Sequence, residues 1–346
     1  MRTPTLLAAL LALAPGLSAQ DKPPFENPWL DKNLNRVDLA RPIPLLTKEG
    51  ILRPEPFRPA PPSLDRLDLF AGLPGKPGWG EGAAAWVPCL SFPTRITAIS
   101  HGAYFVGQMF GDIVLVDGAS VWHWLAPSGS PAPIAGFPNT DLAQAGGNRV
   151  IRADRTGAWI WSDPTTRADV TSLALDGADR LWMTDGLEVQ FTSGARGGTP
   201  TVVIPLGTPE PFQGGTFRPT LVAADPRIDQ VVVASENALY LTDPQTRTLR
   251  HFSGIPGGGQ ALDGPKDQAQ FTRITGVAVH LSGWVLVSDG GAGTMRLVSP
   301  GGEVTTLQRF GGNGTVFRIV QPGEVLFDGD AALVVDTDQH VVWKIH

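Results

Sequence analysis

GVAVHLSGWVLVSDGGAGTMRLVSPGGEVTTLQRFGG, residues Gly276 to Gly312, is the stretch that decides the fold. Its apolar runs are cut at Ser282-Gly283, at Asp289-Gly290-Gly291 and at Pro300-Gly301-Gly302. Gly and Pro at such cuts mark tight turns, and runs of this length between them read as strands. The spacing predicts strands at Thr275–Val279, Trp284–Ser288, Thr294–Ser299 and Glu303–Gln308, one antiparallel unit of four.

The pattern recurs. Related strand triplets lie in Thr171–Ser193 (followed by TPTVVIPLG), Thr220–Gly254, Gly111–Gly136 and Glu324–His346. The last stops at the chain end after three strands. RLDLFAG, Arg66–Gly72, resembles the fourth strands elsewhere and is the expected donor of the missing one. An N-terminal strand completing the last sheet closes a circular array and leaves no exposed edge. The expected fold is therefore all-β, a β-propeller of four-stranded blades, with five regular blades. The stretch 137–168 reads as an insertion or a degenerate sixth blade, because the gap between the repeated acids Asp117 and Asp185 is longer than the others.

At this point the chain resembles the NHL-repeat family of β-propellers. ITGVAVHLSGWVLVSDGGAGTMRLVSPGGEVTTL (274–307) is similar to its unit, and FSGIPGGGQALDGPKDQAQF (252–271) to its inter-blade connection, echoed at Phe70–Phe92. The chain departs from the family at Ala292 (often Asn), His280 (usually Asp) and Ile274 (commonly Pro). The resemblance implies a protein- or ligand-binding propeller, a sensor domain outside the membrane or, in some members, a metal-dependent lyase. A fold of this kind does not select among them.

The rest of the chain sets the boundaries. Met1–Ala19 has a basic start, an apolar centre from Leu6 to Ala14 and a small-residue exit, which is the pattern of a secretory signal peptide. Residues 20–63 form a proline-rich arm or linker with scattered apolar side chains, and 64–346 form the propeller. The expected location is periplasmic or extracellular. One cysteine, Cys89, allows no intrachain disulfide. A net charge of −6 without a basic block argues against nucleic acid, and no stretch after the signal is long enough for a membrane span. Gly (41) and Pro (32) are both abundant, as a fold of short strands and tight turns requires.

Candidate chemistry is sparse. Asp117, Asp185, Glu236, Asp289 and Asp336 are read as acids ending second strands, and Asp176, Asp225 and Asp328 as turn initiators ending first strands. Carboxylates at strand ends accept backbone N–H groups and fix turns, so recurrence favours a structural role. His280 is the exception in the second set, a ligand or base where the repeat has Asp. Trp159 and Trp161, two apart on a strand beside Arg152, Arg155 and Arg167, offer a platform for a sugar or peptide. The histidines show no metal-ligand spacing, and Asp328-Gly329-Asp330 lacks the remaining oxygen ligands of a calcium loop. The expected function is a binding or interaction module for a protein, small molecule or carbohydrate. No cofactor is predicted, although a divalent cation on the axis stays open. The alternatives are a metal-dependent lyase or lactonase and a structural partner in a cell-envelope assembly.

Overall fold

The computed structural model describes residues 46–47, 50–51, 60–78, 82–83, 89–100, 102–117, 120–125, 132–137, 139, 141–154, 159–164, 166–194, 196–211, 215–224, 231–243, 246–307 and 318–346. The chain divides into Met1–Arg58 and Pro59–His346. In the first unit the described residues form one short ladder, Leu46–Thr47 against Gly50–Ile51. The signal segment and most of the proline-rich arm lie outside the described residues.

The second unit is a six-bladed β-propeller. Blade one comprises Pro93–Ser100, Ala103–Gln108, Ile113–Val116 and Ser120–Leu125, with Gly82–Ala83 added at its outer edge. Blade two comprises Ile134–Gly136, Leu142–Gly146, Arg149–Ala153 and Trp159–Pro164. Blade three runs through Ser172–Leu175, Arg180–Thr184, Val189–Ser193 and Gly197–Ile204. Blade four has Leu221–Ala224, Val231–Ala234, Leu239–Asp243 and Thr248–Ser253. Blade five has Ile274–Val279, Val285–Asp289, Thr294–Val298 and Val304–Thr306. Blade six takes Pro322–Asp328, Ala331–Asp336 and Val341–Ile345, and its fourth strand is Leu67–Gly72, antiparallel to Val341–Ile345.

One expectation is resolved here and one corrected. The stretch 137–168, read as an insertion or a degenerate sixth blade, supplies the three outer strands of a blade whose inner strand is Ile134–Gly136, and Trp159–Pro164 is its outermost strand. The blade's shortness at the axis hid it, since that inner strand is so brief. Asp117 follows the third strand of blade one rather than the second, and it is exposed. The second strand there ends at Gln108, so the long Asp117–Asp185 gap came from comparing unlike positions.

Burial follows the blade seams. Each of six apolar clusters fills the space between two consecutive blades. Ile99, Phe105 and Ile113 of blade one meet Ile134 and Leu142 of blade two. Leu333, Val335 and Val342 of blade six meet Ile96, Tyr104 and Val106 of blade one. Alternating side chains present an apolar row on both faces of every sheet, so each sheet is buried only by having a neighbour on each side. Near the axis the inner strands approach closely. At Gly276 a Cβ atom would collide with the Gly323 carbonyl oxygen of the next blade.

Candidate functional site: an axial cavity and its rim

The end of each second strand is a fastening point. Asp289 is fully buried and accepts backbone N–H groups from Thr272 (3.1 Å) and Arg273 (3.0 Å), the loop leading into its own inner strand. Arg296, on the third strand and also fully buried, donates to it at 3.3 Å and reaches Asp263 at 2.6 Å. The Asp263 carboxyl is held below its ordinary value: burial opposes this, but hydrogen bonds from Thr306 and the Arg296 guanidinium outweigh burial.

Asp336 repeats the arrangement with Val320 N–H (2.8 Å) and Gln321 N–H (3.0 Å), and the indole N–H of Trp343 takes the place of the arginine (3.2 Å). Asp185 holds the N–H groups of Arg167 and Ala168 at 3.1 and 3.2 Å. In blade one Gln108 does this work, its amide oxygen accepting the Ser91 N–H. In blade four the equivalent of Asp289 is Ser235, because Ala234 holds the ladder position that Ser288 holds in blade five. Glu236 lies one residue further on with an exposed side chain, while Asn237 donates to the carbonyls of Phe271 and Thr272 (3.2 and 2.8 Å). These groups fasten loops to strands, and their partners leave little for a ligand.

The opposite ends of the inner strands border a cavity on the propeller axis. Its volume is about 680 Å³, and all six inner strands contribute to its wall. Ile96, Ile134, Leu173, Val222, Val277 and Val325 supply apolar surface. The ionisable side chains that line it are Asp176, Asp179, His280, Glu324 and Asp328; among the described residues no lysine or arginine does. The lining runs past the strand ends into Gly177, Leu281 and Gly329, so the mouth lies at that end.

The groups at the mouth differ in what they still offer. Asp176 accepts the N–H groups of Ala178 and Arg180 (both 2.9 Å), the Arg180 side chain (2.6 Å) and the Trp182 indole (2.8 Å). Asp328 pairs with Lys344 at 3.3 Å and lies beside Tyr104, whose phenol pKa is raised by burial and by that carboxylate. His280, 6 % exposed, stands at the same place in blade five. Its Nδ1 accepts the Ser282 N–H at 3.3 Å, a turn-capping contact like those of Asp176, and lies 2.6 Å from Ser282 Oγ. Its Nε2 is 3.2 Å from Oδ1 of Asp330 in the next blade, and its ring packs against Phe327 (4.9 Å between centroids).

Deeper in the cavity, Glu324 Oε2 accepts the Ile96 N–H at 2.8 Å. Ser172 does the same for Val222 (3.1 Å), so this is a repeated bridge between inner strands, here made by an ionisable group. Burial pushes the Glu324 carboxyl up, with Arg95 and the Ile96 N–H acting in the opposite direction.

The sequence-derived candidates are thus scattered. His280 lines the cavity. Arg152 is buried in blade two, donating to Asp141 (2.7 Å) and Gly194 O (2.5 Å) with its guanidinium 4.0 Å from the Phe137 ring centroid. Trp159 and Trp161 lie on the outer strand of that blade, away from the inner strand that meets the cavity, and their side chains are outside the described residues. Arg155 and Asp225 also lie outside the described residues. Glu324 and Ser282 were not foreseen, and Asp330 figured only in a calcium-type loop that lacked its other ligands. The signal for Glu324 was an acid where the aligned inner strand has Gly276. Among the described residues no group of three or more His, Cys, Asp or Glu side chains could hold a metal ion. No helix among the described residues is long and apolar enough to cross a membrane.

The fold is a six-bladed β-propeller with a cavity bordered by all six inner strands. No family model and no curated protein matches the chain. Solved structures do. An auxiliary nutrient binding protein from Bacteroides thetaiotaomicron VPI-5482 is similar with a TM-score of 0.65 and 13% identity, over 81% of this chain and 76% of that one. Another from Bacteroides ovatus ATCC 8483 gives 0.63 and 15%, over 81% and 76%. A virginiamycin B lyase from Staphylococcus aureus, with quinupristin, gives 0.51 and 12%, over 77% and 98%. At these identities the likeness establishes the propeller fold alone.

Proposed function

We propose that the chain is an exported, NHL-like binding propeller that takes a small amphipathic ligand, neutral or cationic, into its axial cavity. The observation that carries this reading is the cavity: about 680 Å³, apolar in its wall, with carboxyl groups and an imidazole as its ionisable lining. A concave apolar site with a few placed polar groups suits a small organic molecule. Among the described lining residues an anionic ligand would meet four carboxyl groups, two of them paired with Arg180 and Lys344 behind them, and no cationic side chain, whereas an amine or hydroxyl donor finds carboxylate acceptors. Export rests on the signal pattern of Met1–Ala19. Propellers of similar fold include nutrient binding proteins and a lyase, so the scaffold accommodates a ligand-binding role.

The test is calorimetric titration with phenethylamine, 2-phenylethanol and phenylacetate, which share one apolar body and differ in charge. The amine and the alcohol should bind saturably and the carboxylate should not. Ala98→Trp, at an exposed cavity-lining alanine, should abolish that binding in a folded protein. Absence of saturable binding by all three probes, or binding unaffected by Ala98→Trp, would overturn the reading.

A further inference from the structure

His280 carries more chemistry than a turn cap requires. The Ser282 N–H points at Nδ1, so Nδ1 is the lone-pair nitrogen and the ring proton sits on Nε2. That tautomer makes Ser282 Oγ–H the donor in the 2.6 Å contact with Nδ1, and Nε2–H the donor to Asp330 Oδ1 at 3.2 Å. A hydroxyl, an imidazole lone pair, an N–H and a carboxylate therefore follow one another in a line. The imidazole is held on one side by the Phe327 ring and borders the cavity. Ser282 is half-buried, and the Asp330 side chain is 90% exposed and comes from the neighbouring blade. Turn capping accounts for the Ser282 N–H contact; it does not account for an acid across the blade seam facing Nε2.

We propose that Ser282, His280 and Asp330 form a nucleophile–base–acid relay that hydrolyses esters with an apolar acyl group held in the cavity. The proposal rests on the cavity taking ligands and adds a reaction to it. Ser282 Oγ attacks the acyl carbon and its proton passes to His280 Nδ1; the imidazolium formed is stabilised through Nε2–H by the Asp330 carboxylate. The C–O bond to the leaving group breaks, and the alkoxide takes the proton from Nδ1 and departs as an alcohol. Water then attacks the acyl-serine, again giving a proton to Nδ1, which returns it to Ser282 Oγ as the carboxylic acid leaves. Net, one ester and one water give one acid and one alcohol, with no oxidant or metal consumed. The nitrogens exchange the places they hold in the usual relay, which the chemistry permits because either ring nitrogen can act as the base.

The experiment is labelling of the full chain with a tagged fluorophosphonate, read by intact mass and peptide mapping. One label per chain on the peptide containing Ser282 is expected. Ser282→Ala should carry none there, and His280→Gln should label at least about a hundredfold more slowly, the usual worth of a positioned base. Asp330→Asn alters an exposed side chain, so its fold should persist while labelling and hydrolysis of 4-nitrophenyl butyrate both slow. Label absent from the Ser282 peptide of the wild type, or hydrolysis unchanged in Ser282→Ala, would overturn the relay. Because mapping is done on the wild type, this result does not depend on any variant folding. Failure of labelling alongside saturable, Ala98→Trp-sensitive phenethylamine binding removes the relay and leaves the binding reading standing.

Discussion

Asp289 and His280 occupy the two ends of one hairpin in blade five, and they have opposite relations to their surroundings. Asp289 is enclosed, and its partners are the loop of its own blade and a buried arginine. The backbone part of this arrangement returns at Asp185 and Asp336. His280 breaks the pattern of its position: where Asp176 is saturated by four donors, the histidine satisfies its turn through one nitrogen and turns the other to Asp330 of the neighbouring blade. Repetition in this molecule marks what holds the ring together, and His280 is the departure from it that borders the cavity.

The largest effect that would break this comparison is expected at the fastening end. Arg296→Ala should cost about 3–5 kcal/mol, since it leaves a buried carboxylate without its counter-charge. Denaturant unfolding would measure it, and a loss near zero would mean that the pair is dispensable. Asp336→Ala should cost a comparable amount, about 1–3 kcal/mol for each of the two backbone N–H groups, of Val320 and Gln321, left without an acceptor. His280→Asn should change stability by less than either, as Asn can still cap the turn, yet remove the imidazole from the mouth. If it destabilises as strongly as Arg296→Ala, the two ends are not different in kind.

Two pH effects sharpen the picture. Burial raises the Glu324 carboxyl, so the folded protein holds that proton more tightly than the unfolded chain does. Its contribution to stability is full below the ordinary carboxylate range and is lost as pH rises through the raised value. Glu324→Gln keeps an acceptor for Ile96 N–H, and should stabilise the protein at neutral pH relative to acid pH. His340 behaves oppositely. Burial lowers its pKa, with Asp338 and Asp336 partly offsetting this, and its Nδ1 accepts the Phe92 N–H at 3.3 Å. Stability should therefore decline as pH falls below the ordinary histidine value. The decline should shrink in His340→Asn, whose side chain tolerates the positive φ of that residue. Thermal unfolding across pH measures both, and parallel pH profiles for wild type and variant would contradict the assignments.

The same contrast explains how far the sequence could be read. Blade five was legible strand by strand because each of its turns carries Gly or Pro and its acid sits at a strand end. Blade two was not, because its second strand runs into Gly146-Gly147 instead of an acid and its stabilising pair, Arg152 with Asp141, has no counterpart in the repeat. Gln108 and Ser235 escaped notice because an amide and a hydroxyl hold positions that carboxylates hold elsewhere. At the site, His280 was visible as a departure from the repeat. Its partners were not: Ser282 reads as an ordinary turn residue, and Asp330 is brought to it only by the packing of blade six against blade five.

The most direct test of the central claim is a long-range proton–nitrogen correlation spectrum of the histidine side chains, with His280 assigned through His280→Asn. The account predicts the His280 ring proton on Nε2 with Nδ1 as acceptor, the signals shifting when phenethylamine is added to the wild type and not to Ala98→Trp. A proton on Nδ1, or a His280 signal indifferent to the ligand while binding saturates, would contradict it.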